Sequence, residues 1–190
     1  MKKILLFILF LLLIIMSTLI PAGCSSNYIQ EPPEISIVIG GKQIEYVLAK
    51  NKWDGNVYDR EDTFITILKG QKDIPIFENG SIAEITFKNN PPDKFAVSDI
   101  LINEEGKQIY TNKEIKNIPV ELKNGKCTFE IEYNLASALS SSYEPNKKDI
   151  RGFRMIAYWG ENECEYAFVI KTYSTTKEES LWVIEILKKP

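Results

Sequence analysis

The chain has no histidine in 190 residues. That absence excludes Ser-His-Asp and Cys-His catalysis. It also removes the commonest metal ligand and the usual pH switch. An enzyme built on this chain would need carboxylates, a Ser–Lys pair or a lone thiol. A strong excess of charge of one sign is lacking too. The formal net charge is −3, and the lysines are spread among the acids. Without a basic cluster, nucleic acid is not an expected partner. A polybasic contribution to membrane binding is equally unsupported. Cysteine is limited to Cys24, Cys127 and Cys164.

Long apolar runs are confined to the start. Lys2 and Lys3 precede an apolar stretch from Ile4 to Ile20, and Pro21-Ala22-Gly23-Cys24 follows. The stretch is about 17 residues, or roughly 25 Å as a helix, a little short of the ~20 that usually span a bilayer. A basic start, an apolar run and small residues mark an export leader. Ala22-Gly23-Cys24 resembles the lipobox of bacterial lipoproteins. The resemblance implies loss of residues 1–23 and a lipid on the Cys24 thiol. An uncleaved signal anchor is the alternative. Either places the remaining chain at the extracytoplasmic face of the cell membrane. Several acyl chains hold a protein firmly where one binds marginally. Residues 24–34 are expected to form the lipidated N-terminus and a tether ending in Pro32-Pro33. Residues 35–190 are expected to form one β-rich domain, long enough to bury a real core. Loss of the leader's two lysines takes the charge from −3 to −5.

Strand signals dominate that domain. Ile35, Ile37 and Ile39 alternate with Ser36 and Val38. Gly40-Gly41 follows, then a second alternating run from Gln43 to Leu48, which predicts a tight hairpin. Ala83, Ile85 and Phe87 mark another strand. Phe95–Ile102 and Lys107–Tyr110 flank a turn at 103–106. Val120 and Leu122 lead as a strand into Asn124-Gly125 and then Cys127–Tyr133, and this Asn-Gly is the strongest short hairpin signal. Leu135–Leu139 fits one helical turn. Phe153, Met155, Ala157 and Trp159 share one face of a strand that turns into the run from Cys164. Asp59 or Asp62 is placed to cap a short helix that carries Phe64, Ile65 and Leu68 on one side and ends at Gly70, with a strand over Thr63–Leu68 as the alternative. Residues 181–187 read as a terminal helix behind capping-box spacing at 176–179, or as a final strand. Many short strands without alternating long helices predict an antiparallel β-sandwich, broadly immunoglobulin-like, or an open barrel with one or two short helices.

Cys127 and Cys164 each begin a strand on its apolar face. They are a candidate disulfide in an exported chain, or two buried thiols. A strand between them in one sheet would hold them about 9.6 Å apart, beyond the ~7 Å Cα limit.

The candidate binding loop is Trp53, Asp54, Asn56, Tyr58, Asp59 and Asp62. Its oxygens invite a calcium reading, since calcium takes six to eight. The EF-hand pattern fails, because Tyr58 stands at a ligand position and Asp59 where glycine belongs. Ser174-Thr175-Thr176-Lys177 has Ser-x-x-Lys spacing but no Lys-Thr-Gly follows. Carboxylate pairs are too numerous to single out a glycosidase site. Trp53 and Tyr58 are expected to anchor the core, with stacking on a sugar or a partner as the alternative. The expectation is a non-catalytic binding or assembly module without cofactor or metal. Loops 51–62, 89–94 and 140–150 would hold an envelope protein or wall polymer. A calcium- or ligand-binding module and a histidine-free hydrolase are the alternatives.

Overall fold

The computed structural model describes residues 31–71, 73–139 and 147–174. The leader, Cys24, most of loop 140–150, the Ser-x-x-Lys lysine and the 181–187 segment lie outside them. Among the described residues fourteen short elements follow one another, eleven of them strands. The strands form two sheets that do not close into a barrel, and the architecture is a β-sandwich.

The first sheet is built from β1 (Ile35–Ile39), β2 (Lys42–Gln43), β6 (Ser81–Phe87) and β9 (Lys126–Ile131), in the order β2-β1-β6-β9. The second contains β3 (Val47–Trp53), β4 (Asn56–Val57), β7 (Lys94–Ile102), β8 (Lys116–Ile118), β10 (Lys148–Trp159) and β11 (Asn162–Tyr173). Their order is β4-β3-β11-β10-β7-β8, and β5 (Ile76–Phe77) adds to β11 in parallel. The described residues also hold one α-helix, α1 (Thr63–Gly70), and 3₁₀ turns at Asn112–Glu114 and Leu135–Leu139.

Aromatic rings join the sheets. Phe87 of β6 meets Phe95, Trp159 and Tyr166 of the second sheet edge-on, at 5.3, 6.1 and 5.8 Å between centroids. Phe129 of β9 stacks on Phe153 of β10 at 5.9 Å, and Phe153 on Phe168 at 4.7 Å. The other face of the second sheet is covered by α1. Phe64 and Ile67 pack there with Ile100, Ile102, Ile150, Ala167 and Val169. This double cover explains β11, where every residue from Cys164 to Ile170 is buried. A strand buried on both faces loses the alternation that marks β1 and β9.

Several expectations change. The Gly40-Gly41 turn forms, with φ of 54° and 80°, but β2 stops at Gln43. The chain then crosses to the second sheet, so Val47 and Leu48 pair with β11. Asn124-Gly125 is also a left-handed turn, at φ of 51° and 75°. It links β9 to a stretch from β8, which belongs to the other sheet, so Val120 and Leu122 are not strand. Lys107–Tyr110 forms only an isolated bridge, Ile102 to Gln108. Thr63–Gly70 is helix, and it buries Thr63, Phe64 and Ile67 rather than Ile65 and Leu68.

Cys127 and Cys164 are free, buried thiols, so the candidate disulfide is not formed. They sit on facing sheets, but Phe129 places β9 over β10, not over β11. One strand spacing of ~4.8 Å across a gap of ~10 Å exceeds the Cα span of a bridge. Burial pushes both thiols up, to about 11 and about 12.

Residues 31–34, expected to belong to a tether, pack on the sandwich. Pro32 and Pro33 are buried, and the Tyr166 hydroxyl donates to the Pro33 carbonyl at 2.5 Å. Glu31 pairs with Lys50 at 2.5 Å and Glu34 with Lys88 at 2.6 Å. Residues 31–34 are therefore fastened to the sandwich.

The strand registers sort the turns into two groups. Turns 54–55, 88–93, 123–125 and 160–161 gather at the Trp53 end. Turns 40–41, 79–80 and 103–106 gather at the opposite, Arg151 end.

Candidate functional site: an exposed segment beside a charged cleft

Trp53, expected in a polar loop, is only 1% exposed and meets Trp159 edge-on at 5.4 Å. The cause is a β-bulge. Cys164 faces Lys50 while Glu163 faces Lys52, so Asn51 is the extra residue. The bulge swaps the side-chain faces beyond it and turns Trp53 inward. Trp53 is an anchor, not a recognition residue.

Every residue from Asp54 to Asp62 is exposed. The segment opens with a tight turn in which Asp54 and Gly55 have φ of 52° and 75°. Its ends are held by named bonds. The Asp54 amide donates to Asn162 Oδ1 at 3.0 Å, and the Tyr58 amide to the Asn51 carbonyl at 3.0 Å. Asn56 Nδ2 donates to the Asp54 carbonyl at 3.2 Å. Arg60 approaches Glu163 at 3.9 Å. Thr63, buried at 1%, ends the segment as Trp53 began it. Val57 is 80% exposed and Tyr58 41%. An apolar and an aromatic side chain thus face solvent on a fixed backbone.

The acids of this segment do not converge. Among the described residues no three His, Cys, Asp or Glu side chains form a metal-holding group. The calcium reading gains no support from this arrangement. Asp59 is exposed, and Asp62 is the residue before α1, where its carbonyl accepts the Thr66 amide and its side chain makes no cap bond.

Beyond Arg60 the segment borders a cleft of about 360 Å³ on the helix-covered face of the second sheet. Phe64 and Ile100 give it an apolar floor, and Arg60, Lys107, Gln108 and Arg154 line it beside Glu61 and Glu165. Glu165 is the buried acid. It accepts the Thr63 hydroxyl at 2.6 Å. Arg154 Nε lies 3.2 Å from the same oxygen, an ion pair out of line for a hydrogen bond. The Arg154 guanidinium also lies 5.2 Å from the Phe64 ring centroid, a cation–π distance. Charged groups of both signs over an apolar floor can hold a polar partner by hydrogen bonds and ion pairs.

Sequence reasoning missed Arg154, Glu165, Lys107 and Gln108. The available signal was a charge in the middle of each long apolar strand: Arg154 in β10 and Glu165 in β11. Loop 89–94 is pinned, since Asn90 accepts Trp159 Nε1 at 2.8 Å and Asp93 Oδ2 accepts the Gly160 amide at 2.8 Å.

No protein-family model matches the chain, and no curated protein or solved structure matches it significantly.

Proposed function

We propose that the chain is a lipid-anchored protein of the cell envelope that acts as a non-catalytic binding or assembly module. Its partner would be an envelope protein or a wall polymer. Two features support the reading. The leader and Cys24 resemble a lipoprotein export signal. The segment from Asp54 to Asp62, exposed throughout and clamped between buried Trp53 and Thr63, carries the binding half of the proposal. Rigid scaffolds with exposed, fixed loops are where binding residues concentrate. Val57 and Tyr58 supply the contact area, and the adjoining cleft supplies charge.

The test is crosslinking in intact membranes from a photoreactive residue at Tyr58, with Cys24→Ala as control. A specific adduct that needs membrane attachment supports the reading. Turnover of glycan, peptide or ester substrates by the purified domain overturns it.

A further inference from the structure

The fastening of residues 31–34 determines how a lipidated chain stands on its membrane. The chain leaves the described sandwich at Glu31, whose partner Lys50 lies three residues from Trp53. Lys50 is paired with Cys164, near the start of β11. Cys24 lies seven positions before Glu31. Fully extended, that stretch reaches at most ~25 Å. From Cys164 the remainder of β11 runs to Tyr173, about 30 Å toward the Arg151 end. A lipid on Cys24 can reach beyond the Trp53 end, but the Arg151 end lies past its full extension.

We infer that the Trp53 end of the sandwich is its bilayer-facing surface. Turns 54–55, 88–93, 123–125 and 160–161 stand toward the lipid. Turns 40–41, 79–80 and 103–106 stand outward, and the cleft beside Arg154 opens sideways. The partner surface is then the flank of the domain from Tyr58 to the cleft, reached parallel to the membrane, not the tip at Asp54. This rests on the reading of Cys24 as the lipidated residue.

Energy transfer to a membrane tests it. The full chain is made in a host that acylates it, and a donor dye is attached at Glu161→Cys or at Glu104→Cys. Both positions are exposed, one at each end. The native thiols do not compete, because Cys127 and Cys164 are buried. The protein is bound to phospholipid vesicles carrying a headgroup-labelled acceptor. The two positions differ in height by about 36 Å, the length of β10. Transfer from position 161 is expected to exceed that from 104 at least about twofold. Equal or reversed efficiencies with the protein bound to vesicles overturn the orientation and leave the anchor standing. Failure to bind, or binding unchanged by Cys24→Ala, overturns the anchor reading itself and the orientation with it.

Discussion

The ring of Phe64 packs on Gly152. A Cβ at that glycine would lie 2.6 Å from Cε1 and Cζ of the ring. The missing side chain in β10 is what lets α1 settle on the sheet and bury Phe64 to 3% exposure. Gly152→Ala is therefore expected to push the helix outward. Overpacking of this kind costs about 1–3 kcal/mol. Urea unfolding of the purified domain checks it, and unchanged stability would mean that the helix is not held there. Because Arg154 also touches Phe64, the same substitution should widen the cleft.

Arg151 and Asp99 form a second internal device. They are diagonal neighbours on β10 and β7 and are 1% and 0% exposed in their side chains. Arg151 donates twice to Asp99, at 3.1 and 2.5 Å, and Asn134 donates to the same carboxylate at 3.0 Å. Asn79 and Thr172 accept from the remaining guanidinium nitrogen, each at 3.3 Å. Removing one partner strands a buried charge. Asp99→Leu alone is expected to cost about 3–5 kcal/mol. The double variant Asp99→Leu with Arg151→Met should recover most of that, since apolar pairs often replace buried ion pairs without loss. A double-mutant cycle by denaturant unfolding gives the answer. Additive losses would contradict the pairing.

How far the sequence made this fold legible depended on what covered each strand. β1, β6 and β9 were readable because their sheet has one buried and one exposed face, so Ile35, Ile37 and Ile39 alternate with partly exposed neighbours. The cover on the second sheet was not readable. Phe64 and Ile67 mark one side of a short helix, but nothing local says that they land on Ala167 and Val169, about a hundred residues away. Trp53 was misplaced for a different reason: one extra residue, Asn51, reverses the faces of a strand whose hydrophobic pattern is already weak. The chain switch after Gln43 and the Asn124-Gly125 turn show a third limit. Turn chemistry specifies local backbone, and the sheet that each flanking strand joins is decided by tertiary packing. Half of the candidate site was readable as an exposed acidic segment. The cleft was not, because Arg154 and Glu165 look like interruptions until the helix places Thr63 and Phe64 over them.

The buried thiols make stability pH-dependent in a defined direction. Desolvation raises Cys127 to about 11 and Cys164 to about 12. In the unfolded chain both ionise near 8.5. Between those values the folded state binds more protons, so its stability is fully present below about pH 8.5 and falls as pH rises toward 11. A loss of about 4 kcal/mol between pH 7 and pH 10 is expected, about 2 from each thiol. It should shrink in Cys127→Ala/Cys164→Ala. Urea unfolding at the two pH values tests this. At neutral pH the same thiols should resist a thiol reagent in the native protein and react in denaturant. A pH-independent stability would mean that these thiols are not desolvated.

Trp53 and Tyr58, five positions apart, separate the structural and the binding roles of one segment. Trp53 is buried against Trp159, so Trp53→Ala should cost about 3–5 kcal/mol through the cavity that it leaves. Tyr58 is 41% exposed, and its backbone amide donates to the Asn51 carbonyl. Tyr58→Ala keeps that amide and should change stability by less than about 0.5 kcal/mol. If the exposed segment is the contact surface, the same substitution weakens partner capture. Loss of an interface aromatic typically costs about 2 kcal/mol or more, near thirtyfold in affinity. Thermal unfolding and quantitative crosslinking from a reactive residue at Gln108, on the opposite lip of the cleft, resolve the two effects. A Tyr58→Ala variant that is stable and crosslinks as well as the parent would move the contact surface away from this segment.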